Sequence, residues 1–455
     1  MTSAQLAARL DRMPVGRFHR RVLYALAVAF VFEFGDLNTF AYAAPALKQH
    51  LHLSVDDVAF VTSASFLGMF LGAVVGGRFA DWVGRRRALL LSVTVFSVFS
   101  LLNAVVATVP LLSAARLLTG VGLSAMTVAA TTYLSETMPA AHRGRMQAGV
   151  MAIGLLGIPI MSFTARGVIP LGTEAWRLVF VFGALGLIAL PFIARLPESP
   201  RWLLRHGRDA EPVVARIEGE AGGPLPEPSP VPETEPAKVR YRELLTGKLG
   251  RRTLMLAVAW VFQTLGFYGF VSWVPTLLAE HGFSLVHSLT FSALTTLGAV
   301  PGALLAWVIS DRFGRKAPIV IVSTAVAVCG IAYGLTFNAV AIVAFGFCVN
   351  ALIQTFAALL YAYTPELYPT ELRNSGNGLV YGLGRLSNIA GPLIVASIFG
   401  AFGYQPVFVY IGACWLVVAV TIGLFGPRTG MRNLEGIAGD AGAPEPDPRV
   451  RSSAE

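Results

Sequence analysis

Residues 133–144 read YLSETMPAAHRG, and the same framework returns at 363–374 as YTPELYPTELRN. Tyr133, Glu136, Pro139 and Arg143 have counterparts in Tyr363, Glu366, Pro369 and Arg373, every pair at one offset of 230 positions. A second motif keeps that offset: DWVGRRR starts at Asp81 and DRFGRK at Asp311. Several matched positions at one spacing mark an internal duplication. Each half of the chain is expected to build the same set of helices.

What surrounds the repeated motifs says where those helices live. Of 455 residues, 55% are hydrophobic and 13% charged, with a mean hydropathy of +0.64. Soluble domains carry roughly 25% charged residues. Twelve apolar runs are long enough to span a bilayer, which takes about 20 residues. They fall near 22–47, 58–80, 88–108, 111–135, 145–170, 176–196, 253–279, 286–309, 317–337, 339–364, 374–400 and 404–426. The expectation is an all-α membrane protein with twelve transmembrane helices in two pseudo-symmetric six-helix bundles. Its division is residues 1–21, an N-terminal bundle over 22–196, a linker over 197–252, a C-terminal bundle over 253–426 and a tail over 427–455. The linker's GGPLPEPSPVPETEP (222–236) and the tail's GAPEPDPRV are too rich in proline to fold and read as disordered.

The net charge of +9 does not point to nucleic acid, because the basic residues sit in short loops between apolar runs without interleaved aromatics. Arg85, Arg86, Arg87, Arg143, Arg145, Arg312, Arg315 and Lys316 fall on one side, against Lys48, Arg166 and Arg177 on the other. The excess of basic loops places both termini and the linker in the cytoplasm, with the bilayer read as the inner (plasma) membrane. No cleaved leader is expected at the N-terminus. Cys329, Cys348 and Cys414 lie inside apolar runs with no metal-ligand spacing. A phosphate loop, a metal cluster and a nucleophile with its base are all missing, so neither an ATP-driven pump nor an enzyme is supported, and no cofactor is expected.

The layout and the turn Gly77-x-x-x-Asp81-x-x-Gly84-Arg85-Arg86 resemble the major facilitator superfamily over residues 20–427. PESPRWLL (197–204) and Arg116-x-x-x-Gly120-x-Gly122 are similar to its sugar-porter branch and to relatives carrying organic ions, nicotinate-type compounds and aromatic acids. The resemblance implies a secondary transporter whose halves rock about a midplane site. It also implies a gate of ion pairs at the cytoplasmic helix ends. Asp81, Arg85, Glu136, Arg143, Glu198 and Arg201 would form it in the first half, and Asp311, Arg315, Glu366 and Arg373 in the second. The alternative is that these arginines only fix topology. Trp307 stands where Gly77 stands in the first copy, which argues against an equally tight helix contact in the second half.

Charges that break the repeat are the functional candidates. Asp36, Arg116 and Arg385 pair across the offset with Gly266, Gly346 and Leu155, and each lies inside an apolar run. A charge there costs about 2.5–3.5 kcal/mol on insertion scales. Asp36 is roughly 21 Å into its run at 1.5 Å per residue, and Glu33 projects within about 60° of it. Two acids so close cannot both carry charge cheaply, so one can take a proton near neutral pH. Arg116 is the natural partner of the ionised form. The resemblance to sugar porters and aromatic-acid symporters implies the same coupling role, with Glu33-x-x-Asp36 similar to the aromatic-acid group's Asp-x-x-Asp. A static ion pair holding two helices is the alternative.

Arg385 sits among Gly378, Gly382, Gly384 and Gly391, with no acid at its depth in its own half. A guanidinium beside free volume suits a carboxylate held by two hydrogen bonds; alternatively it reaches an acid of the first half as a structural tie. Gln263, Tyr268, Asn350, Gln354, Tyr381 and Asn388 are second-rank contacts. Sugar porters carry paired glutamines in the seventh helix, whereas FQTLGFYGF (262–270) has one. The sequence therefore reads as a monomeric, proton-coupled carrier of a small organic anion, a monocarboxylate with aromatic acids included. Its partners would be that anion, protons and membrane lipid. A sugar or polyol carrier is the alternative, followed by an exporter or a receptor on a carrier fold.

Overall fold

The structure, a computed structural model, describes residues 1–221, 225–227, 241–310, 314–369 and 372–427. The Pro-rich part of the linker, apart from 225–227, and the tail beyond Pro427 lie outside the described residues, as does Asp311. Among those described there is no strand, and twelve helical segments are long and apolar enough to cross a membrane. The first six are Arg17–Leu51, Val55–Val83, Arg85–Asn103, Val109–Thr137, Ala140–Leu171 and Trp176–Ala194. The second six are Gly247–Val271, Leu285–Ala306, Lys316–Leu335, Ala339–Glu366, Ser375–Phe402 and Tyr404–Phe425. This is the architecture of the major facilitator fold.

The chain divides into two compact units. One takes in Met1–Glu235 with Ser272–Ala293 and Pro392–Ser397, the other Leu294–Gly391 with the helix ending at Val271 and the last span. The seventh run is not one helix: it stops at Val271 and resumes as Val274–Glu280, and the two pieces fall in different units. Pro275 lies in the first turn of the resumed helix, where its missing N–H has no helical partner to lose.

The duplication is visible atom by atom. Tyr133 donates its hydroxyl to the carbonyl of Pro197, and Tyr363 donates to Pro427, both at 2.9 Å. A Cβ added at Gly68 or Gly72 would run into the carbonyl oxygens of Leu117 or Val121, and at Gly298 or Gly302 into those of Phe347 or Ala351. The second and fourth spans, and likewise the eighth and tenth, thus touch backbone to backbone at the same four repeat positions. The expectation of a looser second half therefore needs correcting. Gly77 makes no close approach, since a Cβ there would meet Val128 at an ordinary 3.8 Å, and the tight positions are matched in the second copy.

Among the described residues, three short α-helices lie outside the spans and apart from the interrupted seventh run. Ser3–Asp11 opens with a capping box of Thr2 and Gln5. Its Leu6 and Leu10 share one apolar cluster with Val214 and Ile217 of Glu211–Gly219. Arg9 bridges Glu211 (2.7 Å) and Glu218 (2.6 Å), and Arg12 meets Glu218 at 2.7 Å. Pro200–Arg205, the third, is capped by the Ser199 hydroxyl.

Candidate functional site

At the arginine-rich end of the first unit, Gly84 takes φ +101°, a backbone conformation that side chains disfavour, and turns the chain directly into the third span. That turn buries Arg85. Its Nε and Nη2 donate to the two oxygens of Glu136 at 3.0 and 2.9 Å, and Nη2 also meets Asp81 at 2.7 Å. Ser199 donates to Glu136 at 2.5 Å, and the Trp202 indole donates to the carbonyl of Asp81 at 2.7 Å. Among the described residues Glu198 pairs with no arginine side chain: it accepts the backbone N–H of Arg86 at 3.0 Å, capping the helix. The guanidinium of Arg86 reaches the carbonyl of Ala194. Arg143 and Arg201 make no ion pair among the described residues. Each leaves its Nε without an acceptor, and burial together with Arg143 holds the Arg201 guanidinium below its ordinary pKa. The second copy repeats the central pair, Arg315 to Glu366 at 3.2 Å. Arg373 opens the eleventh helix, eight residues before Tyr381.

Deeper in the first unit, Asp36 is fully buried. Its Oδ1 accepts from Ser100 of the third span at 2.6 Å and lies 3.2 Å from the Thr39 hydroxyl. Among the described residues Oδ2 accepts no hydrogen bond, and it stands 3.9 Å from Nη1 of Arg116. Arg116 is held by hydroxyls, donating to Ser65 and Thr39 at 3.1 Å each, with its guanidinium 5.9 Å from the Phe40 ring centroid. Thr39 therefore stands between acid and base, accepting from Arg116 while its own proton points to the Asp36 carbonyl at 2.7 Å. The pair is loose. Oδ2 is the atom that can gain a proton, or close on the guanidinium, without another hydrogen bond breaking first.

Glu33 turns elsewhere and accepts from Thr127 of the fourth span at 2.9 Å. The two acids, one turn apart, thus have different partners. Gly183 of the sixth span leaves the room that Asp36 uses, since a Cβ there would collide with Asp36 Oδ1 and Ser100 Oγ. Sequence reasoning missed Ser65, Ser100, Thr39, Thr127 and Gly183. A small polar residue inside an apolar run carries no periodic signal, and only its distance from a known charge picks it out.

In the second unit, Arg385 donates through Nε and Nη2 to the hydroxyl of Tyr381, at 3.0 and 2.5 Å. Its guanidinium carbon lies 5.0 Å from the Tyr381 ring centroid. Tyr381 packs edge-on to Trp260 of the seventh span at 5.2 Å, and Tyr361 of the tenth does the same at 5.0 Å. Tyr268 and Tyr361 are within electrostatic reach of the guanidinium. Close packing of the seventh and eleventh spans sets this arrangement, because a Cβ at Gly384 would approach the Trp260 carbonyl to 3.1 Å. The amides are less tied to it. Gln263 donates to Thr264 at 2.7 Å and Asn350 to the carbonyl of Gly346 in its own helix at 3.1 Å. Gln354 is half-buried on the tenth span, and Asn388 is buried with an Oδ1 that accepts no hydrogen bond among the described residues. Among the described residues no cluster of histidine, cysteine and acid side chains could hold a metal.

The profile of the family described as "Sugar (and other) transporter" matches residues 17–440. Over 435 residues the chain is 46% identical to the putative metabolite transport protein YyaJ of Bacillus subtilis (strain 168), covering 94% of this chain and 96% of that protein. It is 31% identical over 438 residues to the niacin transporter NiaP of Acinetobacter baylyi, covering 95% and 99%. To the 4-hydroxybenzoate transporter PcaK of Pseudomonas putida it is 28% identical over 415 residues, covering 88% and 90%. Among solved structures it is similar to the xylose transporter XylE of E. coli in a partially occluded inward-open conformation. The TM-score is 0.75 at 16% identity, over 91% of this chain and 99% of that one, a likeness of fold alone.

Proposed function

This chain belongs to the sugar (and other) transporter family, a multi-pass membrane carrier of the major facilitator superfamily, and on that premise we propose that it moves a small organic anion together with protons. The anion is a monocarboxylate, aromatic acids included. The carrier works by alternating access in the inner membrane, with both termini in the cytoplasm. The observation that carries the anion reading is Arg385, a cation absent from the other half of the repeat and set among Tyr381, Trp260, Tyr361 and Tyr268. A planar guanidinium fork suits a carboxylate, and aromatic walls suit a flat ring. Two relatives named for their substrates, niacin and 4-hydroxybenzoate, are transporters of aromatic carboxylic acids, which supports the same class here.

Asp36, with Glu33 and Arg116, carries the proton in this reading. Protonation of Oδ2 would release Arg116, and release changes the contacts among the first, second and fourth spans. Outside the bilayer the ion pairs of Arg85 with Glu136 and of Arg315 with Glu366 act as gate contacts, broken and remade in each cycle.

The test is equilibrium binding of an aromatic acid and its uncharged amide to wild type, Arg385→Lys and Arg385→Ala. Wild type should bind the acid and ignore the amide. Lysine keeps the charge but loses the fork, so affinity falls; alanine abolishes acid binding. Equal binding of amide and acid, or full affinity in Arg385→Ala, would replace the anion reading with that of a sugar carrier.

A further inference from the structure

The edge of a guanidinium formed by Nε and one Nη is an edge that takes a carboxylate through two parallel hydrogen bonds. In Arg385 both of those nitrogens donate to a single oxygen, the hydroxyl of Tyr381, at 3.0 and 2.5 Å. Tyr381 lies one turn earlier on the same span, so the contact is made within one helix and needs no neighbour to form.

We propose that Tyr381 is a built-in surrogate for the substrate's carboxylate, holding the two-nitrogen edge of Arg385 in the empty carrier and yielding it when an anion binds. The inference rests on the anion reading of Arg385 given above. A guanidinium inside an apolar span without acceptors is costly even when half-buried, and the phenol oxygen supplies one. It is a neutral acceptor with a single oxygen, whereas a carboxylate brings opposite charge and two oxygens, one for each nitrogen of the fork. A carboxylate therefore gains by displacing the hydroxyl, whereas an amide or a sugar hydroxyl would exchange like for like. The surrogate thus filters for charge as well as keeping the empty site satisfied.

Displacement also has somewhere to go. The Tyr381 ring stands edge-on to Trp260 at 5.2 Å and lies 5.9 Å from Tyr361, which itself meets Trp260 at 5.0 Å. Moving that ring disturbs the seventh and tenth spans together.

Benzoate and benzamide are titrated into purified full-length wild type, Tyr381→Phe and Arg385→Ala. Tyr381→Phe keeps the ring and removes the competing oxygen. It should bind benzoate at least about tenfold tighter, since the two hydrogen bonds from Arg385 to the Tyr381 oxygen no longer have to break. Benzamide, which wild type ignores, should become measurable in Tyr381→Phe, because the exchange that excluded it no longer takes place. Tyr381→Leu supplies the same comparison if the phenylalanine variant does not accumulate. Equal or weaker benzoate binding in Tyr381→Phe, benzamide still ignored by that variant, or no benzoate bound by either protein overturns the surrogate role. If benzoate weakens in Tyr381→Phe while Arg385→Ala still loses it and benzamide is ignored, the anion reading stands and only the surrogate fails. If Arg385→Ala binds benzoate like wild type, both fail.

Discussion

Arg85→Gln and Arg315→Gln remove the same member of a duplicated ion pair, and the structure predicts unequal losses. The Arg85 side chain is 2% exposed and Glu136 9%, whereas Arg315 and Glu366 are 22% and 24% exposed. Arg85 grips both oxygens of Glu136, meets Asp81 and donates to the carbonyl of Ala80 at 3.1 Å. Taking it away leaves a buried carboxylate with, among the described residues, the Ser199 hydroxyl as its remaining donor. Breaking a buried pair from one side costs about 3–5 kcal/mol, much of it the stranded charge. A partly exposed pair is worth about 1 kcal/mol or less. Unfolding in detergent, followed at fixed protein concentration, should therefore show Arg85→Gln far less stable than Arg315→Gln. Combining Arg85→Gln with Glu136→Gln removes the stranded charge, so the double variant should be more stable than the sum of its singles. Equal losses at the two copies, or strict additivity in the first, would refute the burial argument.

Other expectations follow from single distances. Gly183→Ala drives a methyl group into Asp36 Oδ1 and Ser100 Oγ, whereas Ser100→Ala only removes the 2.6 Å bond, a loss of about 1–3 kcal/mol; initial uptake rates should fall further in the glycine variant, and equal rates would remove the steric account. Gly77→Ala should be neutral or gain up to about 1 kcal/mol of helix propensity, while Gly298→Ala, aimed at the Phe347 carbonyl, should lose about 1–3 kcal/mol, both read from thermal unfolding. Arg9 and Arg12 hold the Glu218 carboxyl down from its ordinary 4.5 to about 2. A lowered carboxylate contributes stability above its unfolded value and loses it as pH falls through the folded one. Protection of Ser3–Asp11 from proteases should then persist down to about pH 4.5 and vanish between there and about pH 2. Loss of protection already between about pH 7 and pH 5 would contradict it.

The parts of this protein legible in its sequence were those carried by repetition or by cost. Tyr133 and Tyr363, Arg85 and Arg315, Glu136 and Glu366 stood out because the duplication preserved them, and the structure gives each pair matching contacts. Asp36 and Arg116 stood out because a charge in an apolar run is expensive, and they lie 3.9 Å apart. Contacts made by ordinary residues left no such mark. Glu198 caps a backbone N–H, an interaction that any acid at a helix start can make and that spacing does not distinguish from an ion pair. The helix Ser3–Asp11 is nine residues long, too short for a span signal, and its apolar side joins a buried cluster that includes Val214 and Ile217 some 200 positions away. The break at Ser272 and Trp273 falls inside a continuous apolar run, where hydropathy cannot tell one helix from two. Crowding of Gly68 and Gly72, rather than Gly77, depends on which face of the second span meets the fourth, and a motif's spacing alone does not give that face.

The central claim, an organic anion moved by protons through Asp36, is tested most directly in proteoliposomes given an inward proton gradient. Accumulation of a labelled aromatic acid is measured for wild type and Asp36→Asn, alongside exchange of the same acid with no gradient. Wild type should concentrate the acid inside the vesicles and leave its amide at equilibrium. Asp36→Asn should lose accumulation yet keep part of the exchange, since the substitution removes the proton site without touching Arg385. Accumulation by Asp36→Asn against its gradient, or gradient-driven uptake of the amide by wild type, would contradict the account.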